Sequence, residues 1–284
     1  MTYTRIIILL SLTMILFASN SLLCRAALKS TSIDAASFTT IRLISGAIIL
    51  WVIVRTHHGT NVGGGNWPSA FMLFVYAVGF SFAYISLSAA TGALLLFSAV
   101  EATMISHGIW MGERLRRLQL LGLVLAFGGF IGLLLPGLTA PPLGGSISML
   151  IAGVAWGIYS LRGRGARDPI KSTAGNFLRA VPMAIALSIL SFKGATLDNA
   201  GVGYAVASGA LASGIGYSIW YMALPALKAT SAAIVQLCAP VIAALGGLVL
   251  LGEPITLRLA LACVAILGGI ALAILEKRNG NFAD

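Results

Sequence analysis

Charge is what this chain has least of. Only 9% of its 284 residues are Asp, Glu, Lys or Arg, against roughly 25% in soluble domains. So few charges cannot cover a water-soluble surface. With 58% hydrophobic residues and a mean hydropathy of +0.97, the chain reads as a protein whose solvent is lipid. Cysteine is scarce as well. Cys24, Cys238 and Cys263 are far apart inside apolar runs, which excludes a disulfide framework and leaves them as small buried side chains. There is no Gly-x4-Gly-Lys-Ser/Thr loop to cradle a nucleotide phosphate, so ATP hydrolysis by that route is excluded. No Asp stands at mid-span, there is no His-Glu-x2-His, and Ser213-Gly214 has no evident base, which argues against an intramembrane enzyme. His107 and the His57-His58 pair lack Cys or carboxylate neighbours at ligand spacing, so neither a metal nor a cofactor is expected. The net charge of +10 is not gathered on one face with exposed aromatics, as nucleic-acid binding would need; it punctuates apolar runs.

What is present is length without charge. Ten apolar stretches are long enough to cross about 30 Å of hydrocarbon, near 6–24, 35–54, 68–88, 91–111, 118–136, 143–161, 173–192, 200–224, 231–251 and 256–275. The first follows Arg5 like a signal peptide, but Asn20, Arg25 and Lys29 come after it without a small-x-small cleavage pattern, so it is kept as a helix. With the N-terminus inside, twelve Lys and Arg fall on inner segments and four (Arg25, Lys29, Lys193, Arg258) on outer loops, which places both termini in the cytoplasm.

The chain also repeats itself. At an offset of 140, Gly112-Glu113 falls on Gly252-Glu253 and Gly128-Gly129 on Gly268-Gly269, with nine identities across the 45 residues 91–135. Further upstream the offset becomes 137, pairing Arg25 with Arg162, Arg42 with Arg179 and Tyr84 with Tyr221. Each unit holds five spans. An odd number predicts that residues 1–138 and 139–284 are inserted in opposite directions, and the loop charges agree: three arginines between spans 4 and 5, Arg258 alone between 9 and 10. Inverted repeats are a hallmark of alternating-access carriers. A channel would more typically show a ring of like charges or a repeated carbonyl filter.

The order of these features carries a resemblance. Ser19-Asn20 and Trp156-Gly157 at matching places in spans 1 and 6, Phe38-x3-Arg42 in span 2, and the Gly-Glu then Gly-Gly pattern closing each half resemble the EamA-like family of the drug/metabolite transporter superfamily. The resemblance covers nearly the whole chain. It implies an all-α integral membrane protein with ten helices around a central cavity, helices 5 and 10 more peripheral, working as an exporter in the bacterial cytoplasmic (inner) membrane. Within the family the chain resembles exporters of amino acids and related metabolites, aromatic ones included.

Candidate substrate-binding residues follow from polarity at depth. Glu101, near the bilayer midplane, must face the interior. Proton coupling, a contact to a substrate ammonium and a structural pair are all open readings for it, and the first two would suit a multidrug or cation efflux carrier. Tyr76, Phe80 and Tyr84 make an aromatic stripe on helix 3, whose hydroxyls need a polar partner or a wet cavity. Trp156 and Tyr159 on helix 6, Tyr217 and Trp220 on helix 8, and Phe97 one turn before Glu101 extend it into an aromatic wall. Asn20, between Ser19 and Ser21, hydrogen-bonds either a neighbouring helix or a substrate, and Gln236 is read the same way. Arg42 and Arg179 are expected to snorkel or to meet helix ends in gating or structural roles. Pro182 and Pro240 interrupt helices 7 and 9 as candidate hinges. The expected partners are a small amphipathic metabolite, the bilayer and, as a coupling ion, the proton.

Overall fold

The computed structural model describes residues 3–57, 64–112, 117–137, 140–163, 166–223 and 235–280. Among them the chain forms ten long helical elements: α1 (Tyr3–Ser30), α2 (Ala35–His57), α3 (Trp67–Tyr84), α4 (Ala89–Trp110), α5 (Arg117–Leu134), α6 (Leu143–Gly163), α7 (Pro169–Leu190), α8 (Asn199–Ala223), α9 (Cys238–Leu251) and α10 (Leu257–Gly280). The first eight are long and apolar enough to cross a membrane, and α9 and α10 contribute shorter apolar stretches. Helix is the expected answer here, because in hydrocarbon every backbone N–H and C=O must be satisfied within its own segment. The start of the ninth predicted span, 231–234, lies outside the described residues, as do Glu113, Arg114, Arg116, Arg164, Lys228 and His58, and the side chains of Lys277 and Arg278.

The helix starts are marked by residues that satisfy free N–H groups. Asn66 accepts from Ser69 N ahead of α3, Ser88 from Thr91 N ahead of α4, and Asp168 from Lys171 N ahead of α7, with Pro68 and Pro169 in the first turns where no N–H is missed. At the end of α9, Gly252 takes φ +62°, the left-handed turn that stops the helix and leads to Glu253.

Packing separates a basket from its rim. Helix α2 lies against α7, α3 against α6, α4 against α6, α1 against α8 and α9, and α4 against α9. Helices α5 and α10 pack chiefly on each other. Their crossing is close because Gly122 and Gly269 face one another, and a Cβ on either would collide with the other's carbonyl oxygen. The buried core is a continuous cluster from Phe38, Leu43 and Phe80 through Leu94, Tyr159 and Phe177 to Ile266 and Ile270.

Two helices are not regular. The middle of α8, Ser208–Ile215, is wound as a π-helix, where the sequence predicts an ordinary span. Its small residues make this possible: Gly209 presses on the Arg42 carbonyl and Ser45 Oγ, with no room for a Cβ. Before α9 the helix breaks at Leu237, and Pro240, three residues on, has no N–H for the Gln236 carbonyl. The interruption expected at Pro240 therefore falls slightly before it. Pro182 lies inside α7, which is helical to Leu190.

Candidate functional site

At the centre of the basket is a small cavity of about 30 Å³, lined by Phe17, Asn20 and Ser21 from α1, Tyr76 and Phe80 from α3, Leu96 and Phe97 from α4, Trp156 from α6, Ala212 and Tyr217 from α8, and Gln236. Its walls are aromatic rings in mutual contact. Trp156 lies 4.7 Å from Tyr76 and 5.2 Å from Tyr217, Tyr76 lies 5.4 Å from Phe80, and Phe17 meets Tyr217 edge-on at 5.7 Å, all centroid to centroid. Such contacts favour a rigid apolar box with few polar groups.

Asn20, Tyr76, Arg42, Ser208 and Ser213 form one polar network. Asn20 Nδ2 donates to Tyr76 Oη at 3.1 Å, and Ser208 Oγ donates to Asn20 Oδ1 at 2.6 Å. Arg42 Nη2 donates to the same Tyr76 oxygen at 3.0 Å and reaches Ser213 Oγ at 3.5 Å. The π-wound stretch thus supplies both serines. Arg42 is 1% exposed, its guanidinium lying 4.8 Å from the Phe80 ring centre and 5.1 Å from that of Tyr76. The expectation that it snorkels is not met. It is held inward by hydrogen bonds and aromatic faces. Its repeat counterpart Arg179 behaves differently, being half-buried, with Nη1 donating to the Gly64 and Gly175 carbonyls.

Of the ten candidate substrate-binding residues, the fold brings six to the cavity: Asn20, Tyr76, Phe80, Phe97, Trp156 and Tyr217. Three pack behind them. Tyr84 meets Phe80 edge-on, Tyr159 stacks on Trp156 and receives Asn176 Nδ2, and Trp220 leans on Phe17. Glu101 is set apart, although Phe97 is only one turn away. It lines a different, largely apolar crevice of about 690 Å³ between α4, α5, α6 and α10, along with His107 and Phe127.

An ion pair spans one end of the basket. Arg25 Nε meets Glu253 Oε1 at 2.7 Å, and Arg25 Nη1 donates to the carbonyls of Tyr84 and Ile85. The other carboxylate oxygen, Oε2, accepts from Ala89 N at 2.8 Å, and Lys29 Nζ stands 3.9 Å from Oε1. One carboxylate therefore ties α1, the α3–α4 turn and the α9–α10 turn together. The same face carries a second tie, in which Asp34 caps α2 by accepting from Ala36 and Ser37 N while its other oxygen accepts from Thr196 N in the α7–α8 connection. Partial burial works against ionisation of Asp34, but these hydrogen bonds outweigh it and hold the carboxyl below its usual range. On the opposite face Arg162 Nε donates to Ser69 Oγ and Nη2 to Asn66 Oδ1, Asn66 N donates to Asn176 Oδ1, and Lys171 pairs with Asp168 at 3.7 Å at the start of α7.

Comparison with known proteins decides the family. The EamA-like transporter family model matches residues 143–275, and an uncharacterized protein of Pseudomonas aeruginosa is 56% identical over 282 residues, 98% of this chain and 97% of that one. The chain belongs to the EamA-like transporter family. Two uncharacterized transporters of Archaeoglobus fulgidus are similar at 26% identity over 77% of this chain and 82% of theirs, and at 23% over 96% and 98%. A solved crystal structure shares the fold of this EamA-like transporter at a TM-score of 0.69, with 22% identity over 95% of this chain and 97% of that one.

For a transporter the residues that sequence reasoning missed are as informative as those it found. Phe17 and Ala212 look like ordinary apolar positions, and only the packing turns them to the cavity. Ser208 and Ser213 were hidden by the π-winding, which shifts the face a helix presents. Glu253 is different, because its position after Gly252 in an apolar half was visible, but its partner Arg25 lies 228 residues away.

Proposed function

We propose that this EamA-like transporter is a secondary carrier that exports small amphipathic metabolites, amino acids with apolar or aromatic side chains among them, across the bacterial cytoplasmic membrane. The central aromatic cavity carries this reading. Rings of Phe17, Phe80, Trp156 and Tyr217 would take the apolar body, and Asn20, Tyr76 and Gln236 its polar end.

The mechanism we propose is alternating access by two inverted five-helix units, 1–138 and 139–284, with both termini cytoplasmic. Its support is the pattern of helix contacts. Exchanging each helix with the one five places on turns α3·α6 into α8·α1 and α4·α6 into α9·α1, and leaves α2·α7 and α5·α10 unchanged. A two-state device follows from such symmetry, because whatever contacts close one face have counterparts that can close the other. In the present state the Glu253 face carries the ion pair and the cavity is nearly collapsed, so loading requires the helices to part.

Counterflow in proteoliposomes tests the carrier. Vesicles preloaded with unlabelled phenylalanine should transiently accumulate the labelled amino acid above equilibrium. Flux that equilibrates without overshoot for any solute in an amino-acid, nucleoside and organic-cation panel would refute it. Repeating the uptake with an imposed pH gradient shows whether protons are the coupling ion.

A further inference from the structure

Arg42 stands one side chain behind the cavity wall, with two of its three nitrogens unsatisfied. Nη2 is shared between Tyr76 and Ser213, while Nε and Nη1 are buried without a hydrogen-bond partner among the described residues. A buried cation with free N–H groups is expensive, because the water it lost has not been replaced. The aromatic faces of Phe80 and Tyr76 offset part of that cost but offer no oxygen to the guanidinium plane.

The geometry of the open groups is specific. A carboxylate grips a guanidinium along an edge, taking Nε with Nη2 or Nη1 with Nη2. Each of these edges has one member unfilled here. Tyr76 is the partition: its ring lines the cavity and its hydroxyl occupies Nη2. Asn20, which donates to that same hydroxyl, and Gln236 bring further amide groups to the cavity. The charges are one-sided, since among the described residues no Asp or Glu lines the cavity and Glu101 faces the crevice on the far side of α4.

We infer that Arg42 is the carboxylate-binding group of the transporter, engaged when Tyr76 swings aside, and that the cavity selects aromatic or apolar carboxylates over cations of the same shape. This rests on the central cavity being the substrate site, and it narrows the substrate class to molecules that carry a carboxylate. An amino acid is accepted through its carboxylate, while its ammonium meets ring faces, amides and hydroxyls but no carboxylate among the described lining residues.

A charge series on one skeleton tests this. Purified full-length protein is titrated with 3-phenylpropionate, phenylalanine, 3-phenylpropanol and phenethylamine, reading tryptophan fluorescence (Trp156 is in the wall) and the shift in melting temperature. The acid should bind at least about tenfold more tightly than the amine, with the zwitterion and the alcohol between them, as expected when a buried charge pair adds more than about 1.4 kcal/mol. Arg42→Gln should erase the preference for the acid over the alcohol, and Arg42→Lys should keep part of it. If Arg42→Gln does not fold, the wild-type series and Arg42→Lys still decide. The inference falls if the amine binds as well as the acid, if Arg42→Gln binds the acid like the wild type, or if no carboxylate binds. Counterflow separates the two readings: a carrier that exchanges amines refutes the carboxylate site and leaves the carrier standing, whereas tight acid binding without counterflow does the reverse.

Discussion

Replacing Glu253 by Gln tests whether the ion pair is what holds its face shut. The side chains of Arg25 and Glu253 are 13% and 7% exposed, so this is an internal pair rather than a surface one. Removing one partner of such a pair typically costs about 3–5 kcal/mol, because the other charge is left desolvated. Here the loss is smaller. Arg25 keeps the carbonyls of Tyr84 and Ile85, and the new amide keeps an oxygen for Ala89 N, which leaves roughly 2 kcal/mol, about a 30-fold shift between closed and open. Ser21 lines the cavity behind this ion pair, so Ser21→Cys, in a chain with the three native cysteines replaced by Ala, reports on access. Modification by a small water-soluble thiosulfonate applied from the Glu253 side should accelerate by roughly that factor in Glu253→Gln. An unchanged rate in a variant that still folds would show that helix packing closes the face and that the ion pair is incidental.

Other outcomes follow from the same geometry. Asp34→Ala should lower stability by about 1 kcal/mol, since it removes the α2 cap and the tie to Thr196 N, measured by thermal unfolding in detergent. Because the folded state holds the Asp34 carboxyl below its ordinary, unfolded value, its stabilisation is fully present above that ordinary value and fades as pH falls through the lower, folded one, so the wild-type and Asp34→Ala melting curves should converge in acid. Gly209→Val should push the π-wound stretch away from α2, costing about 1–3 kcal/mol and weakening ligand binding, because Ser208 and Ser213 move with it. Glu101→Gln should leave the affinity of the central cavity for a bound aromatic ligand within about twofold, since the residue lines the crevice outside it; a tenfold loss would return Glu101 to the substrate site.

The lipid environment was legible in the sequence because it depends on composition alone: with 9% charge and 58% hydrophobic residues no other solvent serves, and lipid leaves helix as the economical backbone solution. The aromatic stripe was legible for a related reason, since Tyr76 and Phe80 are four residues apart and a helix stacks them on one face wherever it packs. Which face meets which neighbour is a different kind of fact. Phe97 and Glu101 share the same spacing, yet α4 is wedged between the basket and the α5–α10 pair, so one side chain enters the cavity and the other the crevice. The two intramembrane arginines were equivalent by repeat position. Tertiary structure made them unequal, because Arg42 met the Tyr76 hydroxyl and the rings of Tyr76 and Phe80 at the centre while Arg179 met the carbonyls of Gly64 and Gly175. Spacing along the chain fixes what a helix offers. The partner it is offered to, 34 residues away for Tyr76 and 228 for Glu253, is settled only when the helices pack, because contact energies fall off within a few ångströms and sequence distance does not measure them.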